Sequence, residues 1–366
     1  MSTPIRIAGI ATRVPGLPVP QAKIAERMIA CLAPGDRDTR RIRELYRRSG
    51  IDTRHTVLPD FITSEAFLFG AAGSVPPPPL TGDRNALYVD AAMKLAVDAA
   101  HEALAIVDGP AAVTHVVTAS CTGFHAPEPA TELVRCCRLA ADVERYHLGF
   151  MGCSAAFPAL RLAHSICSAD PSAVVLVACV EICTIHFQAD LSTDALLANS
   201  LFADGAAAVI VTGRPVREPT LRIGHFASRV DDVGRDAMQW TIGNHGFRMR
   251  LSREVPGLVG SVAGPAVDAL LGPAGLTVAD IPFWAIHPGG KAILDRIERA
   301  LALPAEALTE SRAVLARYGN MSSPTVLFVL DQLLAAAPVA GEPVVAMSFG
   351  PGLTTESALF HVDGDH

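Results

Sequence analysis

The chain has 366 residues, half of them hydrophobic and 18% charged, with a net charge of −7. That much apolar material suits one large globular unit or two fused lobes. An acidic surface disfavours nucleic acid and anionic membrane as partners unless a local basic cluster recruits an anion.

The opening, MSTPIRIAGIATRVPG, reads as a short strand, IRIAGIA, without the h-region and cleavage site of a signal peptide. Residues 37–54 then gather seven arginines: Arg37, Arg40, Arg41, Arg43, Arg47, Arg48 and Arg54. Helical spacing sets Arg40, Arg43 and Arg47 near one face, with Arg41 and Arg48 beside them. Such a face is either solvated or, in an acidic protein, a phosphate-binding patch, since each guanidinium can donate two hydrogen bonds to one anion. Four consecutive prolines make residues 70–83 a surface loop. Residues 86–107 are predicted helical.

Buried strands are expected at HVVTAS near residue 115, AVVLVAC near 173 and AAAVIVTG near 206. GRPVREP, residues 213–219, reads as a linker. Beyond it come strands LRIGHFAS near 221, FWAIHP near 283, PVVAMSF near 343 and ALFHV near 358, with helices over 256–271 and 292–302. Alternating strands and helices predict an α/β fold. The order of elements also repeats. Cys121 precedes Cys153 by 32 positions, and His287 precedes Asn320 by 33. A duplication of this size predicts two similar lobes, 1–219 and 220–366, with reactive residues at their seam.

Eight cysteines lie mostly inside apolar runs, without CxxC spacing, which points to reduced thiols in a cytoplasmic protein and to no metal site. No run of about 18 uninterrupted apolar residues occurs, so no membrane span is expected. Cys153, in MGCSAAFPALRLA, opens a helix, where the dipole and free N–H groups favour a thiolate; the alternative is an inert buried thiol. His287 ends the strand FWAI beside Gly289 and Gly290, and could pair with that thiol. Asn320, in YGNMSS, is either a helix cap or an amide donor beside the histidine.

The segments GCSAA, LFADGAAA, AIHPGGKAIL, YGNMSSPTVLFVLD and SFGPGLTTE, in this order, resemble the type III polyketide synthases of the chalcone synthase superfamily. That resemblance implies the thiolase fold, with duplicated five-layered αβαβα architecture, and a homodimer. It implies a Cys153–His287–Asn320 triad, Phe202 as gatekeeper, and coenzyme A contacts at Arg41, Arg48 and Ala292. A third coenzyme A position falls near Glu44, a departure from the usual basic residue. Cys121, His186, Gly246, Ser322 and Pro351 fall where the family lines its cavity. His186 stands where Thr or Cys is usual, and Ala126 replaces a larger residue that often reaches the partner subunit's cavity.

HPGG, YGNMSS and GPGLT set the chain apart from initiating ketoacyl-carrier-protein synthases, and no glutamate general acid of the hydroxymethylglutaryl-CoA synthase kind stands out. VEICTIHFQADLS and MQWTIGNHGFRMRLSREVPGLV look like bacterial alkylpyrone and alkylresorcinol synthases, whereas TASCTGF resembles tetrahydroxynaphthalene synthases. The implied activity is decarboxylative condensation of malonyl-CoA onto an acyl-CoA starter, fatty acyl in the first instance, then cyclisation to an alkylpyrone or alkylresorcinol. Alternatives are a malonyl-primed synthase of a polyhydroxylated aromatic and a non-catalytic synthase partner. Coenzyme A thioesters serve as substrates and no cofactor is needed; an acyl carrier protein is an alternative donor of the starter.

Overall fold

The structure, a computed structural model, describes residues 3–63, 67–68, 78–107, 109–216, 220–336 and 338–363. Most of the proline-rich segment, and residues 217–219 of the expected linker, lie outside the described residues. Thirteen strands occur among them. Those of the first half are β1 (Arg6–Arg13), β2 (Val19–Pro20), β3 (Thr53–Arg54), β4 (His115–Ser120), β5 (Glu144–Gly149), β6 (Val174–Ile182) and β7 (Asp204–Thr212). Those of the second are β8 (Thr220–Val230), β9 (Met238–Gly243), β10 (Gly246–Leu251), β11 (Phe283–Ile286), β12 (Pro343–Gly350) and β13 (Thr354–Asp363).

Nine strands form one mixed sheet in the order β11-β12-β13-β8-β1-β7-β6-β4-β5. Reading outward from the centre, β1-β7-β6-β4 mirrors β8-β13-β12-β11. In each half the outermost of these pairs is parallel and the other two are antiparallel. Within the sheet, the halves pair where Arg6 faces Arg222 and Ile7 faces Leu221. β4 and β11 are equivalent strands in this repeat, and Cys121 and His287 follow their respective ends. Likewise Cys153 precedes the helix Ala156–Ala169, and Asn320 precedes the equivalent helix Thr325–Ala335.

Side chains alternate across each strand, which sorts the apolar residues into layers. On β6, Val174, Leu176, Ala178 and Val180 pack with the helix Thr81–Leu104, whose Ala92, Ala96, Ala99 and Ala103 allow close approach. Val175, Val177 and Cys179 face the other way, toward the two helices 156–169 and 325–335. In the second half, Val344 and Ala346 face that same middle layer, while Val345 and Met347 pack with the helix Val255–Leu271. The result is helix, sheet, paired helices, sheet, helix. The helix 325–335 is buried at every position from Thr325 to Leu330, as a middle layer requires.

Among the described residues, one helical stretch, Val255–Ala274, is long and apolar enough to cross a membrane. Val259, Ala263, Ala266 and Leu270 on it are buried in the core of the second half. β5 is the sheet strand that hydropathy does not reveal. ERYHLG is polar and largely open to solvent because it lies at the sheet edge.

Candidate active site

Cys153 sits in a 3-10 turn, Gly152–Ser154, that leads into the helix Ala156–Ala169. Gly152 has φ +65°, and a Cβ there would lie 2.3 Å from Pro351 Cδ, so the FGPG turn of the second half seats directly on the nucleophile turn. Ser348 Oγ donates to the Cys153 carbonyl at 2.9 Å, a second tie between the halves. The Cys153 thiol points at Asn320 Oδ1, 3.9 Å away. Burial pushes that thiol up to about 11, against lowering contacts from Ser322 and Asn320. Desolvation thus works against the thiolate that the helix N-terminus favours.

His287 follows β11 and is held by its backbone N–H to Met347 O (2.8 Å). Its ring is 2% exposed. Neither ring nitrogen has a hydrogen-bond partner among the described residues. Burial drives its pKa down to about 3, so the imidazole is neutral and free to donate to a ligand. Asn320 caps no helix. Its Oδ1 accepts from Ser322 N at 2.8 Å, and its Nδ2 donates to Gly289 O at 3.3 Å, two residues past the histidine. Asn320 N donates to Leu201 O (2.9 Å) and its carbonyl accepts from Ala203 N (2.8 Å), which ties it to the backbone around Phe202.

Two cavities meet at Cys153 and Phe202. The larger, about 290 Å³, is lined by Cys153, Phe202, His287 and Asn320, and by Arg48, Arg253, Lys291 and Ala292. The smaller, about 220 Å³, is lined by Cys121, Cys153, Cys183, His186, Phe202, Trp240, Ser322 and Pro351, and reaches Asp190, Asp194 and Arg248. Phe202 is thus a wall shared by both chambers. Gly246 lines neither cavity, contrary to expectation. It turns the β9–β10 hairpin with φ +89°, and a Cβ there would meet Arg84. Ala126 is exposed and also lines neither.

His186 lines the smaller cavity and is also fixed in the core. Phe247 N donates to its Nδ1 (3.0 Å), so the proton resides on Nε2, which donates to Thr122 O (2.6 Å). Its ring stacks on Phe247 at 4.1 Å. Burial lowers its pKa to about 3.

The arginines do not act as one patch. Arg48 lines the larger cavity but pairs with Glu44. Arg47 makes a two-pronged bond with the same carboxylate, and Arg43 does so with Glu26. Glu44, at the departed coenzyme A position, thus offsets two of the cations, a pairing legible in its i+3 and i+4 spacing. Arg41 lies outside both cavities and donates to Leu191 O (3.2 Å) and Thr193 Oγ1 (2.6 Å). Arg54 turns inward and is buried.

Sequence reasoning missed Glu181. It is fully buried on β6 and accepts from Ser323 Oγ (2.6 Å), Thr122 Oγ1 (2.8 Å) and Cys121 N (2.9 Å). Burial raises its pKa. One carboxylate thereby fixes both the Cys121 wall and the turn after Asn320. A single acid inside the apolar run AVVLVACVEIC was the available signal.

The chalcone and stilbene synthase N-terminal domain matches residues 2–215, and the C-terminal domain of the same family matches residues 232–363. The chain belongs to that family. It is an acyltransferase-type polyketide synthase of type III, with the thiolase fold. It is 34% identical to the alpha-pyrone synthesis polyketide synthase-like Pks18 of Mycobacterium tuberculosis, over 97% of this chain and 91% of that protein. It is 30% identical to the probable polyketide synthase 1 of Dictyostelium discoideum, covering 96% of this chain but 11% of that much longer protein. Among solved structures, PKS-I of the brown alga Ectocarpus siliculosus superposes with a TM-score of 0.91 at 28% identity, over 99% of both chains. The 1,3,6,8-tetrahydroxynaphthalene synthase of Streptomyces coelicolor A3(2) gives 0.89 at 27%, over 98% of this chain and 100% of that one.

Proposed function

We propose that this type III polyketide synthase condenses malonyl-CoA onto a fatty acyl-CoA starter and closes the product to an alkylpyrone or alkylresorcinol. The observation that carries the reading is the meeting of two chambers at Cys153, one holding His287 and Asn320, the other bounded by Cys121, His186, Trp240 and Pro351 with room for a growing chain. Coenzyme A thioesters enter on the Arg48, Lys291 and Ala292 side. Loading transfers the starter acyl group to the Cys153 sulfur and releases CoA–SH, which takes the thiol proton.

Loss of CO₂ from malonyl-CoA leaves an enolate whose charge needs preorganised donors near its oxygen. Neutral His287 and the Asn320 amide supply them. The enolate carbon attacks the Cys153 thioester, the sulfur leaves as thiolate, and the lengthened chain remains on coenzyme A until it is reloaded. The chemistry requires no metal or prosthetic group. We place the enzyme in the cytoplasm as a homodimer, with lobes 1–219 and 220–366; the mirrored strand order supports that division. An acyl carrier protein is a second source of the starter.

A malonyl-primed route to a polyhydroxylated aromatic is favoured by one observation, the Cys121 thiol in the wall beside Cys153. Incubating the pure protein with labelled malonyl-CoA and acyl-CoA starters of graded length, then weighing the products, tests both. Alkyl-bearing products support the first reading. An unsubstituted product from malonyl-CoA alone replaces it with the second.

A further inference from the structure

Arg54 ends β3 and is 1% exposed. It lies 5.6 Å from the ring centres of both Tyr46 and Phe187. Its hydrogen bonds go to uncharged groups. Nε donates to Gln21 Oε1 (2.8 Å), and Nη1 donates to the carbonyls of Asn199 (2.8 Å) and Phe202 (2.6 Å). Gln21 in turn donates to Ser200 O at 2.8 Å. A cation at the C-terminal end of the helix Thr193–Leu201 complements its dipole. Stability alone does not require burying a guanidinium there, since desolvation of a cation is costly.

The segment so held carries both Phe202 and the backbone contacts of Asn320. Asn320 N bonds to Leu201 O and Ala203 N bonds to Asn320 O. From the other side, the Arg54 alkyl chain lies over Gly319, where an added Cβ would be 2.9 Å from Arg54 Cγ and Cδ. One side chain therefore braces the residue before Asn320 and the segment bridged to it at Phe202. We infer that Arg54 is a positioning residue that sets the Asn320 amide and the Phe202 gate together, through the carbonyls of residues 199 and 202 and the face of Gly319. The inference rests on the roles given above to Asn320 and Phe202.

Lysine keeps the charge but lacks the planar fork that holds two carbonyls at fixed angles. The test measures malonyl-CoA decarboxylation and product length for wild type, Arg54→Lys, Asn320→Ala and the double variant, at matched folded fraction. Arg54→Lys lowers the decarboxylation kcat about tenfold or more while KM for malonyl-CoA stays within about twofold, because a group acting on the reacting end is misplaced while the binding of coenzyme A is untouched. Product lengths also shift as the gate loosens. In the Asn320→Ala background, where His287 sustains a residual rate, the same substitution changes decarboxylation less than about twofold, since the residue it acts through is gone.

A folded Arg54→Lys enzyme with wild-type kcat overturns the inference, as does an equal fold-loss in both backgrounds. Should Arg54→Lys not fold, Gln21→Leu, which strips the Nε acceptor and leaves both carbonyl bonds, is read by the same two criteria. A wild-type protein that does not decarboxylate malonyl-CoA sinks the proposed function and is thereby distinguished from failure of the positioning role.

Discussion

Cys153 meets opposed influences, and their balance sets a measurable pH dependence. The helix start favours the thiolate, but burial holds the thiol up at about 11. Below that value the reactive fraction rises about tenfold per pH unit. Inactivation by iodoacetamide should accordingly keep accelerating from pH 7 to beyond 9. A plateau already reached at pH 7 would show that a thiolate paired with His287 is the resting state. Activity is the readout, because Cys136 is exposed and alkylates independently. Cys153→Ala should abolish extension and retain decarboxylation, since His287 and Asn320 hold the enolate.

His186 combines two roles. It walls the cavity, and it spends both nitrogens on Thr122 O and Phe247 N. Replacing it with Thr removes two hydrogen bonds and a stacked ring, at a cost of about 2–4 kcal/mol in stability. The same change opens space beside the growing chain. A lowered Tm together with longer products, compared at matched folded fraction, is the expected outcome; unchanged product masses would confine His186 to the core.

At the scale of elements, the helix Asp36–Arg48 separates its arginines by what they touch. Arg48 lines the cavity with His287, whereas Arg41 holds the backbone of Leu191 and the Thr193 hydroxyl. Arg48→Ala should raise KM for coenzyme A thioesters with little change in kcat, and the defect should shrink with N-acetylcysteamine substrates. Arg41→Ala should act chiefly on thermal stability. Equal KM effects from the two would restore the single-patch reading.

Most elements were legible because their residues carry the periods of their layers. β6 and β7 are buried on both faces and read as continuous apolar runs, while the helix 325–335 opens with the buried run TVLFVL. Asn320 was ambiguous for a physical reason: a helix cap and an amide donor look alike in sequence, and only the fold shows its Oδ1 accepting from Ser322 N and its Nδ2 turned to Gly289 O beside His287. Glu181 was hidden by its apolar neighbours. Gly246 was misplaced because carrying a position over from the family does not say which way a hairpin turn faces. Arg54 was grouped with surface cations because linear spacing cannot show that its strand, β3, lies against the core.

For the whole molecule, buried groups of opposite kinds set the acid response. His186 and His287 titrate near pH 3 when folded and near 6.5 when unfolded. The unfolded chain therefore takes up their protons first, and stability falls as pH drops from about 6.5 toward 3. Asp204, raised to about 6, and Glu181, also raised, behave in the opposite sense. The folded state takes up their protons first, so it gains between pH 6 and about 4. The two trends oppose each other in that window; below it the histidine loss continues, joined by carboxyls that their partners hold low, among them Glu26, Glu128, Asp170, Asp280 and Asp295. Tm should change little from pH 6 to 4 and then fall steeply. Asp204→Asn, although less stable throughout, should begin its decline nearer pH 6; an identical pH profile would exclude Asp204 from the balance.

The narrow seam between the halves within the sheet, two residue pairs at β1 and β8, bears on how the chain is made. Residues 3–212 complete one half of the sheet before any strand of the other has been synthesised. Domains fold as units while emerging from the ribosome. At that moment Ala156, Leu160, Val177 and Val209 face a middle layer whose other members, Val326 to Leu333, are not yet translated. The nascent first half presents a sticky apolar flank to water until the helix 325–335 clears the exit tunnel. Chaperone occupancy on stalled chains should therefore be high once β7 has cleared the tunnel and should drop once the helix 325–335 has emerged.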